Sequence, residues 1–301
     1  MTSIGDTGLN FGLKLTKRSH GDPQRARDAL ARVELVVTDC DGTLLYTDKS
    51  LGEPAKEAVR NLTAASVRFT VASSRPGKGM RSIVETLGIK TPFAAFNGGK
   101  LVDPAGWKTL SAHWLPRDAV ETVLESLTRD GIDAWVFIDD QWYITNPGGE
   151  YVPLERRTVG YDAVVVKRFE DIDLSSVEKI VASTKDAALL QRKEAEFQDT
   201  LKDRAMAMRS QSYYLDITHP LANKGEGIRE LARLAGVALE NVAVLGDMSN
   251  DVAMFDVAGV SIAMGQASEE VQSRATFVSG TNDDNGFAVG LNGLLAARKR
   301  N

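Results

Sequence analysis

The feature that most constrains this fold is an apolar run that ends on two carboxylates. Residues 33–37 are rich in valine and are closed by Thr38, a pattern typical of a strand buried in a parallel sheet. Asp39 and Asp41 follow at once, and Gly42 gives the backbone the freedom to turn. Because ligands and chemistry gather at the C-terminal edge of such sheets, the pattern predicts a functional site there. An ordinary Asp-Gly turn explains this segment equally well when it is taken alone.

Length and composition limit the class of protein. The chain has 301 residues, 43% of them hydrophobic and 26% charged, which suits a globular protein with room for two domains. A net charge of -5 argues against a nucleic-acid partner, which normally meets a basic face. The single cysteine, Cys40, excludes an intramolecular disulfide framework, and no apolar run reaches the roughly 18 residues of a membrane helix. Because the first 30 residues lack a signal-peptide pattern, the cytoplasm is the expected location.

Predicted strands alternate with helices at both ends of the chain. This order is typical of a parallel sheet with helices on its faces. The strands are predicted at residues 33–37, 67–72, 93–96, 242–245, 260–264 and 276–278. The clearest helices are predicted at residues 78–87, 224–235 and 287–297.

The middle of the chain has a different texture, mixing helices with antiparallel hairpins. We expect helices at residues 116–129, 175–183 and 187–202, and strands at 134–138, 142–145, 163–168, 206–211 and 213–218. The predicted fold is therefore α/β, with a Rossmann-like parallel-sheet core and an inserted α+β cap domain. Residues 31–100 and 219–301 would form the core, and residues 101–218 the cap. Residues 1–30 are expected to be a poorly ordered extension, with a short helix near 23–33.

Four strand ends and one helix start carry polar residues of complementary types. They are Asp39 with Asp41, Ser73 with Arg75, Asn97 with Gly98, Asp247 with Asn250 and Asp251, and Lys224. Because parallel strands bring their C-terminal ends to one edge, these residues are expected to share a cleft.

The chemistry of this set indicates phosphoryl transfer. Its four carboxylates would repel one another without a cation, and no histidine or suitable thiol accompanies them, so Mg²⁺ is the expected metal. Ser73, Arg75 and Lys224 suit an anion instead. A metal beside an anion-binding half-site describes phosphoryl transfer. Each residue alone has an ordinary explanation, and it is their joint occurrence that favours the functional interpretation.

Four segments in a fixed order resemble the haloacid dehalogenase-like hydrolase superfamily, most closely its Cof-type, subfamily IIB sugar-phosphatase branch. The segments are DCDGTLL, ASSR, NKG and GDMSND. The resemblance covers residues 33–100 and 219 to the C-terminus, whereas the type C2B cap matches by position and texture only. Ser74 departs from the pattern, because relatives commonly have glycine there.

The resemblance implies a role for each carboxylate. Asp39 would be the nucleophile that forms an aspartyl-phosphate and would also bind Mg²⁺. Asp41 would protonate the leaving alkoxide, then deprotonate water, and would give its backbone carbonyl to the metal. A raised pKa is expected for this acid. Asp247 would bind the metal directly, while Asn250 and Asp251 would orient the metal's ligands.

The resemblance also implies an anion site and a function. The residues expected to bind phosphate or substrate are Ser73, Ser74, Arg75, Asn97, Gly98, Lys224 and Asn250. The implied function is Mg²⁺-dependent hydrolysis of small phosphorylated metabolites, sugar phosphates above all, with neither a nucleic-acid nor a membrane partner. A phosphotransferase or phosphomutase using the same aspartyl-phosphate is the first alternative. A regulatory or binding protein that has lost turnover is the second.

Overall fold

The computed structural model describes residues 12–19 and 23–299, and these residues form three sheets and the helices that cover them. The strands are β1 (Lys14–Leu15), β2 (Leu35–Thr38), β3 (Arg68–Val71), β4 (Phe93–Ala95), β5 (Lys100–Asp103), β6 (Lys108–Ala112), β7 (Asp133–Ile138), β8 (Gln141–Ile144), β9 (Val164–Val165), β10 (Val177–Ser183), β11 (Met206–Gln211), β12 (Tyr214–Thr218), β13 (Val242–Gly246), β14 (Val260–Ala263) and β15 (Phe277–Val278). The helices are α1 (Pro23–Ala31), α2 (Glu53–Ala64), α3 (Arg81–Leu87), α4 (Arg117–Arg129), α5 (Val152–Val159), α6 (Ala187–Leu201), α7 (Lys224–Ala235), α8 (Val252–Val257), α9 (Glu269–Arg274) and α10 (Gly286–Arg298).

The first sheet, called the core sheet below, has the order β1-β15-β14-β13-β2-β3. Its strands pair in parallel except for β1, which pairs antiparallel with β15. All four residues of β2 are buried, because helices cover both faces of the sheet. A parallel strand buried in this way reads as an unbroken apolar run. The central position of β2, between β13 and β3, places Asp39 at the middle of the sheet's C-terminal edge.

A small antiparallel sheet, β4-β5-β6, extends the core sheet sideways. The expected third parallel strand, β4, meets the core sheet through one parallel bridge between Ala72 and Ala94, and otherwise pairs antiparallel with β5. The alternation of strands and helices did not predict β5 or β6.

The second sheet has the order β11-β12-β10-β7-β8-β9 and lies within the predicted cap. It is antiparallel apart from the pairing of β8 with β9. Its central strand, β10, shows that the helix expected at 175–183 is wrong. The segment carries Glu178 and Lys179, which suggest a solvated helix, yet all seven residues of β10 are buried. Both charges face partners, since Lys100 lies 2.6 Å from Glu178 and Asp216 lies 3.7 Å from Lys179.

The two faces of the second sheet pack against different parts of the protein. One face packs on α4 and α6 around residues such as Val136 and Ile180. The other face carries the aromatic residues Trp135 and Phe137 and joins the hydrophobic cluster of the core. The rings of Phe96 and Phe137 meet edge to face at 5.9 Å, so the predicted cap and core share buried apolar surface.

The described part of the first 30 residues is packed against the core, which corrects the expectation of a poorly ordered extension there. Strand β1 pairs with β15, and Leu13, Ala26 and Leu30 are buried in the main hydrophobic cluster. The expected short helix corresponds to α1. Residues 1–11 and 20–22 lie outside the described residues. Among the residues that are described, no helix combines the length and apolar character that crossing a membrane requires.

Candidate active site

A buried lysine joins two of the predicted site carboxylates. Asn223 accepts a hydrogen bond from the Glu226 N–H at 3.0 Å and so starts α7, whose first residue is Lys224. The Lys224 ammonium lies 2.5 Å from Asp39 Oδ1 and also contacts Asp251. Lys224 is only 1% exposed, and a buried ammonium is tolerated only beside such partners.

The loop after β13 places Asp247 beside this pair. The Thr43 hydroxyl donates to Asp247 Oδ1 at 3.0 Å. Asp251 Oδ2 accepts the backbone N–H groups of Asp247 and Met248 at 2.8 and 2.9 Å, which fixes the loop. Gly42, with φ of +81°, allows the close approach, since a Cβ there would lie 2.5 Å from Asp247 Oδ2. Oxygens of Asp39, Asp247 and Asp251 therefore all lie within 4.8 Å of one another.

The electrostatics of this group fit a cation. Three carboxylates face one ammonium, so ionisation of all of them leaves negative charge uncompensated. Burial raises the pKa of Asp39 to about 8, with Lys224 opposing the shift and Asp251 adding to it. Burial and Asp251 likewise raise the pKa of Asp247 to about 6. A hard divalent cation would favour the ionised forms of both carboxyls, and carboxylate oxygens are the ligands that it prefers.

Asp41 differs from the other carboxylates and corrects one expectation. Arg75 donates through Nε and Nη2 to the two carboxylate oxygens at 2.6 and 2.7 Å, and the Lys49 ammonium lies 2.8 Å away. Burial alone would raise the pKa of Asp41, but the hydrogen bonds and charges of Arg75 and Lys49 lower it to about 2. The raised pKa expected for a general acid is therefore wrong for this conformation, because the two cations favour the ionised form.

The anion-binding candidates lie on two turns that are bonded to each other. The backbone N–H of Asn97 donates to the Ser73 carbonyl at 2.8 Å, and Ser73 itself is buried. Asn250 donates to the Asn97 side chain at 3.1 Å, which connects these turns to the acidic loop. Ser74 lies half-buried on the first turn. Gly98, with φ of +92°, rests against the start of α7.

All the site residues named from the sequence therefore lie on connected elements at one edge of the core sheet. The sequence does not predict Lys49 as a site residue, because it stands in a polar turn without any motif. In the structure its half-exposed side chain pairs with Asp41. The only available signal was its position eight residues after the second motif aspartate, too general to single it out.

A family model described as haloacid dehalogenase-like hydrolase matches residues 36–291. The chain belongs to this family of hydrolases, and the predicted resemblance is confirmed.

Curated relatives of the chain are named as phosphatases. A 5-amino-6-(5-phospho-D-ribitylamino)uracil phosphatase of Bacillus subtilis is 23% identical over 289 residues, covering 88% of this chain and 99% of the relative. A pyridoxal phosphate phosphatase of Escherichia coli is 26% identical over 266 residues, covering 84% of this chain and 96% of the relative.

Solved structures confirm the predicted α/β fold class. A haloacid dehalogenase-like hydrolase from Bacteroides thetaiotaomicron superposes with a TM-score of 0.81 at 24% identity, covering 86% of this chain and 98% of its own. A structure described as a subclass IIB sugar phosphatase of the superfamily has a TM-score of 0.76 at 20% identity, covering 86% of this chain and 98% of its own.

Proposed function

We propose that this protein is a Mg²⁺-dependent phosphatase that hydrolyses small phosphorylated metabolites through an aspartyl-phosphate. The observation that carries the proposal is the buried contact of Lys224 with Asp39 and Asp251 beside Asp247. Family membership and the phosphatase names of the relatives support it. The substrates in the names of these relatives differ in structure, and sugar phosphates are the substrate class that we propose to test first.

Two carboxylates and one backbone oxygen are proposed to hold the metal. Asp39 and Asp247 would bind it through side-chain oxygens, and Asp41 through its carbonyl. Both oxygens of Asp251 already accept hydrogen bonds, from Lys224 and from the loop backbone, which suits an orienting role, shared with Asn250. When bound, the cation would offset the negative charge of these carboxylates and of the phosphoryl oxygens.

The residues then divide the chemistry between them. An Asp39 oxygen attacks phosphorus, the bond from phosphorus to the leaving oxygen breaks, and Asp41 gives that oxygen a proton. Water next attacks the phosphorus of the aspartyl-phosphate while Asp41 takes a proton from this water. The bond between phosphorus and the Asp39 oxygen breaks, which regenerates the Asp39 carboxylate and frees inorganic phosphate. Because Arg75 and Lys49 hold Asp41 ionised, Asp41 must leave these cations before it can carry the proton.

The remaining site residues are proposed to bind the anion and the rest of the substrate. Ser73, Lys224 and Asn250 would face the phosphoryl oxygens. Arg75, once released from Asp41, would reach the same oxygens from the turn that also carries Ser73. Residues 31–100 and 219–301 would act as the catalytic core, and residues 101–218 as the cap that admits substrate and limits water.

The test is a phosphate-release screen across sugar phosphates, nucleotides and cofactor phosphates in the presence of Mg²⁺, with Asp39→Asn as the comparison. Release by the wild type and none by the variant supports the proposal. Normal rates in the variant would remove Asp39 as the nucleophile. Transfer of the phosphoryl group to an added sugar acceptor, without release of inorganic phosphate, would favour a phosphotransferase. A wild type that is inert throughout the screen would favour a regulatory or binding role.

A further inference from the structure

A buried charged cluster joins the second sheet to the core outside the acidic site. Lys100 on β5 lies 2.6 Å from Glu178 Oε1 on β10 and 2.9 Å from Asp140 Oδ2 in the turn between β7 and β8. Lys100 and Glu178 are 3% and 2% exposed. Burying such charges costs free energy unless they are paired and hydrogen-bonded. The cluster therefore favours the arrangement in which β5 lies against this end of the second sheet.

Asp140 extends the cluster to the predicted substrate-binding turn. Its Oδ1 accepts the backbone N–H of Gly77 at 2.6 Å, while its Oδ2 bonds Lys100. Gly77 comes two residues after Arg75 and so belongs to the same turn. A Cβ on Gly77 would lie 3.1 Å from Asp140 Oδ1, so glycine permits this close approach. The two oxygens of one carboxylate thus bridge two segments of the core.

A second contact holds the same part of the core. The Tyr161 hydroxyl donates to the Asp140 backbone carbonyl at 2.7 Å. The Lys78 ammonium lies over the Tyr161 ring, 4.3 Å from its centre, a geometry that favours cation–π attraction. Two neighbouring core residues therefore contact the predicted cap, Gly77 through its backbone N–H to Asp140 and Lys78 through its side chain to Tyr161.

The hairpin turn that presents Asp140 has an unusual backbone. Asp139 and Asp140 have φ of +50° and +60°, and they form the two-residue loop between the paired residues Ile138 and Gln141. Positive φ at both central positions is typical of the favoured hairpin turns, in which glycine is common. Asp139 is exposed, whereas Asp140 is largely buried and bonded. The two aspartates thus share a conformation but differ in their contacts.

We propose that Asp140 is a positioning residue that holds the turn 73–77 in the geometry that binds the phosphoryl group, coupling this turn to the second sheet. The role rests on the proposed phosphatase function, because Ser73 and Arg75 are assigned there to substrate binding. Fixing the Gly77 amide restricts the backbone two residues beyond Arg75, and it does so from an element that carries none of the reacting groups.

The test compares Asp140→Gly with Asp139→Gly, using p-nitrophenyl phosphate as the substrate with Mg²⁺ present. Glycine suits the positive φ at both positions, so neither variant strains the turn. Asp140→Gly should raise KM about tenfold, the equivalent of one lost hydrogen bond, and change kcat by less than about threefold. The inhibition constant of inorganic phosphate should rise in parallel. Asp139→Gly should match the wild type in every constant.

Two further measurements separate positioning from general stability. Asp140→Asn keeps an acceptor oxygen for Gly77 and should restore KM to near the wild-type value. Backbone hydrogen exchange in residues 73–80 should be faster in Asp140→Gly but not in Asp139→Gly, and this readout needs no turnover. A wild type without phosphatase activity would contradict the proposed function while leaving the exchange result intact. Equal exchange and equal KM in the two glycine variants would overturn the role of Asp140, as would a loss of stability with KM unchanged.

Discussion

Lys224 and Lys49 are both ion-paired to proposed site aspartates, yet their surroundings differ completely. Lys224 is 1% exposed between Asp39 and Asp251, and the two carboxylates raise its pKa although burial opposes the shift. The side chain of Lys49 is 53% exposed where it meets Asp41. Removing a buried partner leaves charge without compensation, whereas water replaces a surface partner.

The first prediction follows from this contrast. Lys224→Met should lower the free energy of unfolding by about 3–5 kcal/mol, because Asp39 and Asp251 lose their shared cation. Lys49→Met should cost less than about 1 kcal/mol. Urea unfolding of both variants measures the difference, and millimolar Mg²⁺ should recover part of the loss in Lys224→Met. Equal losses of unfolding free energy in the two variants would show that Lys224 does not compensate the buried charges of Asp39 and Asp251.

The second prediction concerns pH and Glu178. Burial raises the pKa of this carboxyl from 4.5 to about 7, with Lys100 opposing the shift and Asp140 adding to it. The folded state therefore binds more protons than the unfolded state between these values, so the stability associated with Glu178 falls as pH rises through this window. Between about pH 5 and about pH 8, the free energy of unfolding of the wild type should fall by up to about 3 kcal/mol more than that of Glu178→Gln.

The measurement is urea unfolding of both proteins across that range of pH. Glu57→Gln, at an exposed position on α2, serves as the control and should follow the wild type at every pH. If the free energy of unfolding of Glu178→Gln has the same pH dependence as that of the wild type, the burial of Glu178 does not cause the loss of stability with rising pH.

At the scale of elements, sequence patterns succeeded where a segment's own residues decide its structure. The apolar run before Asp39 predicted β2, and Lys224 to Ala235 predicted α7 with the observed bounds. Strand β10 was missed because Glu178 and Lys179 are buried only through partners on other elements.

The same limit applies to the site. Strand ends predicted which residues gather, but the low pKa of Asp41 depends on Arg75 and Lys49, whose distances no local pattern contains.

The third prediction tests how the turn at Gly98 positions α7. Gly98 and Gly88 both have positive φ, but a Cβ on Gly98 would lie 2.6 Å from the Asn223 carbonyl, whereas one on Gly88 would meet nothing within 4 Å among the described residues. Gly88→Ala should lower the free energy of unfolding by about 1–2 kcal/mol through backbone strain. Gly98→Ala should lower it by about 1–3 kcal/mol more through overpacking. Gly98→Ala should also lower kcat/KM, because the start of α7 carries Lys224.

Urea unfolding and phosphate release measure these two effects. Equal stability losses in the two variants would contradict the close approach. A kcat/KM for Gly98→Ala equal to that of Gly88→Ala would show that the turn does not position Lys224.

At the scale of the whole molecule, the proposed cap and core are not separate hydrophobic bodies. One face of the second sheet, including Trp135 and Trp142, belongs to the same buried cluster as Phe69 and Leu291 of the core. The edge-to-face contact of Phe96 with Phe137 lies at this junction. The charged cluster of Lys100, Asp140 and Glu178 adds polar contacts between the same parts, so unfolding one part exposes apolar surface and unpaired charge on the other.

The fourth prediction is therefore a single cooperative unfolding transition for the whole chain. Three of the four tryptophans, Trp114, Trp135 and Trp142, lie beyond β6 in the proposed cap, so the fluorescence reports mainly on the cap side, whereas far-ultraviolet circular dichroism reports on every helix and strand. The two signals should share one urea midpoint. Phe96→Ala, on the core side, should cost about 3–5 kcal/mol and move both midpoints together. A fluorescence midpoint that stays in place while the circular dichroism midpoint falls would show that the cap unfolds independently, and the contacts at the junction would then hold two autonomous domains together.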